Sequence, residues 1–149
     1  MDVKKQDFVD IPLFELTSFV IYEINKVGLE DMIIGSSAIR YSDRYAFENI
    51  DYTDNSKELI ANMKANNGIY ENDILSLQGD VTYSREDGFT LETTQAVYDK
   101  KTSVATISAN YVAHKDDNEV RGSSAAYDNS LKKSKSKNVT VKYQIRENK

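Results

Sequence analysis

Apolar and polar residues alternate with a period of two along much of this chain. Leu75 and Leu77 alternate with Ser76 and Gln78, and Val139, Val141, Tyr143 and Ile145 alternate with Thr140, Lys142 and Gln144. Such alternation marks a strand with one buried and one wet face. Similar runs occupy 45–52, 74–83, 104–112 and 139–145. Residues 13–27 alternate less regularly, but their β-branched and aromatic content favours an opening strand over an amphipathic helix. Segment 56–64 has an N-cap and good helix formers. Its position just before a tyrosine that recurs along the chain argues instead for a strand, which is the reading taken. Asp87-Gly88 predicts a tight hairpin between 81–84 and 89–93. Asp99-Lys100-Lys101 and 115–118 read as polar turns. Gly79 and Gly122, inside strand patterns, predict bulges or close backbone approach.

These runs belong to a repeat. Tyr41, Tyr70, Tyr98 and Tyr127 each follow small residues and one apolar residue, and an acidic or turn-forming residue comes after each. They lie 29, 28 and 29 residues apart. A fixed period of this size is one supersecondary unit copied along the chain. Each unit holds a strand ending at the tyrosine, a polar turn and a second strand. Four such units predict a stacked all-β architecture with an interior that handles apolar material.

Composition narrows the function classes. At 149 residues, with 40% hydrophobic and 29% charged, the chain is the size of one folded domain. A net charge of −5 provides no basic field for nucleic acid. Without cysteine there is no disulfide or thiolate metal site, and a single histidine, His114, cannot build a metal-dependent jellyroll enzyme. No Ser-His-Asp set, glycosidase carboxylate pair or phosphate loop can be composed. No enzymatic activity, cofactor or metal is therefore expected. No apolar run reaches the ~20 residues of a spanning helix. The basic run 132–137 reads as a solvated turn before the last strand.

The segment 74–98 contains Leu75-Ser76-Leu77-Gln78-Gly79-Asp80-Val81, a hairpin, Gly88-Phe89-Thr90-Leu91-Glu92-Thr93, and Tyr98-Asp99. It resembles the recurrent motif of the lipopolysaccharide-transport β-jellyrolls. Val120-Arg121-Gly122 followed by Tyr127-Asp128 resembles a second element of that superfamily. The resemblance covers about residues 28–145 and is strongest to the LptC family, with the soluble sister family LptA as the alternative. It implies an elongated, open, twisted β-jellyroll of two facing antiparallel sheets, V-shaped in section. Residues 1–27 would be a partly ordered lead-in holding the first strand, and 28–149 the jellyroll domain.

The resemblance also implies a non-enzymatic role. The domain would receive lipopolysaccharide from an inner-membrane ABC transporter and pass it along an apolar groove to the next bridge protein, toward the outer membrane. It implies a periplasmic location, tethered to the inner membrane by an N-terminal helix absent from this sequence. Groove candidates are Leu75, Leu77, Val81, Tyr83, Phe89, Leu91, Tyr98, Val104, Val120 and Tyr127, which would hold the lipid A acyl chains. Val139, Val141, Tyr143 and Ile145 would form the edge that docks an LptA-type protein. Phe14, Val20 and Tyr22 would form the edge facing LptF/LptG-type subunits. A structural or adhesive repeat without lipid cargo is the competing reading. Interior volume separates the two: a carrier keeps an open groove, and a spacer fills it.

Overall fold

The structure, a computed structural model, describes residues 11–56, 58–128, 131 and 133–143. The described chain is all-β, with every strand pairing antiparallel in one open sheet. The first six strands are long: β1 (Phe14–Asn25), β2 (Gly28–Arg40), β3 (Tyr45–Asp54), β4 (Ala61–Glu71), β5 (Ile74–Arg85) and β6 (Thr90–Asp99). They form a meander in chain order. The next six are short: β7 (Val104–Ile107), β8 (Tyr111–Lys115), β9 (Asn118–Gly122), β10 (Ser124–Asp128), β11 (Lys133–Lys137) and β12 (Thr140–Lys142).

Each long strand bends near its middle, where the ladder is interrupted. Paired residues are missing or shifted between Ile34 and Ser37, between Lys64 and Asn67, and between Gln78 and Val81. Ser18, Asn49, Gly79 and Asp80 have positive φ along this line, and short polar residues and glycine tolerate that conformation best. The bends divide the sheet into two facing arms. Beyond β6 the arms separate fully. The C-terminal half of β6 pairs with β7, which leads through β10 to β11, and its N-terminal half pairs with β8, which leads through β9 to β12. An open, twisted β-jellyroll results.

Side-chain bonds cross the bends between neighbouring strands. Asn49 Nδ2 donates to Ser36 Oγ (2.9 Å), Asn66 Nδ2 to Asp80 Oδ2 (3.4 Å), Gln95 Nε2 to Ser108 Oγ (2.9 Å) and Asn138 Nδ2 to Ser123 Oγ (2.8 Å). They form a polar spine along the vertex of the two arms.

The tyrosine repeat has a direct structural meaning. Tyr45, Tyr70, Leu75, Tyr98, Ala105 and Tyr127 are consecutive cross-strand partners, so they form one transverse row on the inner face of the first arm. Tyr41 stands outside it, just past β2, with the Arg44 guanidinium 4.0 Å from its ring centre. On the second arm the matching inner row runs Ile33, Tyr52, Met63, Tyr83, Leu91, Ala113, Val120 and Val141.

Several sequence expectations are corrected. The run 104–112 is two strands, because the chain crosses from one arm to the other at 108–110. The strand expected over 56–64 begins only at Ala61. The Asp54 carboxylate accepts the Ser56 amide at 2.8 Å, and this Asx turn stops β3 and sends the chain into a loop. The basic run is no turn: Lys133–Lys137 is an edge strand, with its lysines exposed. The last strand is short, so Val139 and Tyr143 flank β12 rather than belonging to it, and Ile145 lies outside the described residues. Gly79 is the expected bulge, at φ +84°. Gly122 ends β9, where a Cβ would come within 2.6 Å of the Tyr111 ring.

Candidate functional site

The two halves of the interior differ. In the N-terminal half it is filled. Phe19 stacks on Phe47 (5.6 Å between ring centres) and Phe47 on Tyr45 (5.6 Å), with Ile33, Ile50 and Tyr52 packed around them. In the C-terminal half the arms enclose a cavity of about 530 Å³. Its lining is mostly aliphatic and aromatic, which is the usual character of a binding cavity of this size.

Eight of the ten groove candidates line that cavity: Leu77, Val81, Tyr83, Phe89, Leu91, Tyr98, Val120 and Tyr127. Their convergence follows from register. Tyr98 and Tyr127 flank Ala105 on one arm, and Tyr83, Leu91 and Val120 share a row on the other. Two candidates lie elsewhere. Leu75 is fully buried in the packed core. Val104 is one residue out of phase with inward-facing Ala105 and shares the row of exposed Ile74 through Asp99. Sequence reading missed Met63, Ile107, Tyr111, Ala96, Ala105 and Ala125, which also line the space. These three are among six alanines in the lining, and such small side chains help to leave the space open.

The inner end of the cavity is polar. Tyr98 on the first arm donates its hydroxyl hydrogen to Asp54 on the second, at 3.2 Å. Ser103 is buried beside them, at 4% exposure. Just beyond, Lys100 Nζ lies 2.5 Å from Asp31 Oδ2 and 2.8 Å from Glu23 Oε2, again spanning the arms. Asp31 is 1% exposed. Burial pushes its carboxyl up, partly offset by Lys100, to about 6. Burial acts against the charged forms of Glu23 and Lys100 as well, but their bonds to each other and to Asp31 together outweigh it. Glu23 is held below the usual carboxylate range and Lys100 above the usual amine range. Burial, with the nearby carboxylates, pushes the Tyr52 and Tyr98 hydroxyls well up.

These shifts give a pH prediction with a definite sign. A carboxyl whose folded pKa exceeds its unfolded value favours the fold when protonated. The stabilising effect of Asp31 protonation is therefore complete at low pH and is lost as pH rises through about 6. Glu23 has the opposite sign, and its contribution is lost only below the ordinary glutamate range. Across pH 7.5 to 5, roughly the span that brackets the Asp31 transition, the melting temperature of the wild type should rise relative to that of Asp31→Asn. A difference that stays constant over this span would contradict the assignment.

Cations border the cavity at its mouth. Arg85 forms a two-point bond to Asp87 (2.9 and 2.8 Å) and lies 5.0 Å from the Phe89 ring centre and 5.9 Å from that of Tyr127. On β11, Ser134 and Ser136 line the cavity with Lys135. The expected docking edges are placed at opposite ends of the sheet. β1 is one outer strand, and Phe14, Val20 and Tyr22 on it are exposed. β11 and β12 are the outer strands of the two arms at the other end, and Val139, Val141 and Tyr143 are exposed there. No family model matches this chain, and no curated protein matches it.

Proposed function

We propose that this chain carries lipid, and that its cargo is lipopolysaccharide passed between neighbouring β-jellyrolls in the manner of the LptC family. One observation carries the reading: an open apolar cavity lies between the arms, where the rest of the interior is filled. A spacer has no use for such a void, which forfeits packing contacts along its whole lining. An empty apolar cavity of about 150 Å³ takes one benzene. By that measure 530 Å³ corresponds to roughly twenty carbons, one long acyl chain or two short ones. Each CH₂ transferred from water contributes about 0.8 kcal/mol, and aliphatic contacts have no direction, so a chain can slide. The cations at the mouth suit phosphate groups next to the acyl chains.

Native mass spectrometry with purified lipopolysaccharide tests the proposal. A one-to-one adduct is expected, and an absence of adduct under conditions that retain a known lipid carrier's cargo would contradict it. The alternative of an LptA-type soluble bridge shares the cavity and differs in working without a membrane anchor.

Passage of cargo requires contact with a neighbour, and exposed strand edges provide it by β-addition. On this reading β11 and β12 face the outward partner, an LptA-type protein, and β1 faces the LptF/LptG-type subunits. Proline at position 141 removes a main-chain donor and fixes φ. Val141→Pro should weaken binding of an LptA-type partner by at least ~10-fold, about 1.4 kcal/mol, and leave the melting temperature nearly unchanged, because only a three-residue strand is affected. Isothermal titration would read the first effect and calorimetry the second. Unchanged affinity would remove this edge from the account.

A further inference from the structure

We propose that Lys100 is a clasp that holds the two arms together over the N-terminal half of the interior and so fixes where the cavity ends. The proposal deepens the lipid-carrying reading and rests on it for its functional meaning, although the clasp itself is a property of the fold.

The geometry is specific. Lys100 sits in the turn after β6, at the tip of the first arm. Its main-chain N–H is held by the Asp73 carbonyl at 2.9 Å, which fixes the turn to the neighbouring β4–β5 turn. Its ammonium reaches over to the other arm, to Glu23 on β1 and Asp31 on β2. Beside it Tyr98 and Asp54 make another cross-arm bond, 3.2 Å long and buried. These contacts lie where the cavity stops: Asp54, Tyr98 and Ser103 line its inner end, and no residue of β1 or β2 lines it anywhere. Further toward the C-terminus no ion pair crosses the mouth among the described residues, and the space between the arms is open there.

The contact is also poised. Both Asp31 carboxylate oxygens and the Tyr52 hydroxyl are fully buried without a hydrogen bond of good geometry, so the Lys100 ammonium is the principal charge compensating Asp31. A buried carboxylate dependent on one cation costs far more to leave unpaired than an exposed one. The arms are thus bridged at their tips by one ammonium shared between two carboxylates, in addition to the apolar packing of the N-terminal half. With the clasp open, the inner rows through Tyr45, Tyr70 and Ile33 would become continuous with the cavity. The groove would then run the length of the sheet, from β1 to β12, and a lipid with more chains than the closed cavity holds could be accommodated.

The cysteine-free sequence permits a direct test. Spin labels at Lys26→Cys and Thr102→Cys, exposed positions on the tips of the two arms, report the width of the mouth by pulsed electron resonance. Lys100→Gln should shift the distance to longer values, by ~5 Å or more, about the width of one strand spacing. That variant leaves Asp31 buried and unpaired. Asp31→Asn is therefore measured beside it, since it removes the buried charge and one of the two ion pairs but keeps the Lys100–Glu23 bond, and should give a smaller shift in the same direction. In parallel, a photoreactive group at Tyr45, inside the N-terminal half, should label lipopolysaccharide only in these two variants, whereas one at Phe89 labels it in the wild type too. A distance unchanged in both variants, or equal labelling from Tyr45 in the wild type, overturns the clasp. A lengthened distance with no labelling from Phe89 in any form supports the clasp and overturns the lipid cargo.

Discussion

Replacing Ala105 and Ala125 together by phenylalanine should abolish lipid binding while leaving the protein folded. Both side chains face the cavity from adjacent strands, Ala105 on β7 and Ala125 on β10. Ala105 stands between Tyr98 and Tyr127 in the inner row, and Ala125 is paired with Ile107, itself a lining residue. Two added rings would occupy about 300 Å³, taking ~150 Å³ for each benzene, which is more than half of the 530 Å³. Phenylalanine suits a strand, and filling a void restores contacts rather than straining them. Adduct formation with lipopolysaccharide should fall at least ~10-fold, the loss of about 1.4 kcal/mol, with the melting temperature equal to or above that of the wild type. Retained binding would place the lipid elsewhere. A fall in stability instead would mean that this space is not open in solution.

Leu75→Ala should do the reverse. Leu75 is inaccessible to solvent and lies between Tyr70 and Tyr98 in the same inner row, but in the filled part of the interior. Truncating a fully buried leucine costs roughly 2–5 kcal/mol, transfer and cavity terms together. At about 2–4 °C per kcal/mol for a chain of this size, the melting temperature should drop by ~10 °C. Tyr127→Ala, in the same row but facing the cavity and half-buried, should cost distinctly less stability and more lipid binding. If the two truncations destabilise equally, the interior is one continuous core, and the division into filled and open halves is wrong.

The contrast between Leu75 and Tyr127 also shows what can be read from sequence here. Alternation and the tyrosine period were enough for an all-β chain, its long strands and most of the cavity wall, because register turns a sequence period into a row of neighbours, whereas the open jellyroll was expected only from the family resemblance. The filling of the interior was not legible. Leu75 and Leu77 have the same residue type and face the same side, yet only Leu77 reaches the cavity. The difference is set by what stands opposite on the other arm, a long-range property. The lining alanines carried no signal of their own, since a small residue in a strand reads as neutral until its neighbours are known.

The polar spine was closer to legible. Its donors and acceptors begin at Ser36, Asn66, Gln95 and Ser123, each three to five residues before a repeat tyrosine, so they belong to the same period. Short polar residues at that phase are the mark of a bend rather than of a wet strand face. Missing this bend is why 104–112 read as one strand. The Lys100 clasp had no sequence signature at all. It joins a turn to residues about 70 and 77 positions earlier, and lysine in a polar turn is otherwise a solvated charge.

The central claim is that acyl chains occupy the space between the arms. Photocrosslinking to purified lipopolysaccharide tests it most directly, with the reactive group placed in turn at Phe89 and Leu91 on the cavity wall and at Glu92 and Lys133, which are exposed and outside its lining. The account predicts labelling from the first two positions and none from the last two. Equal labelling from all four, or none from any, would contradict it and leave a β-stack whose repeats only extend a surface.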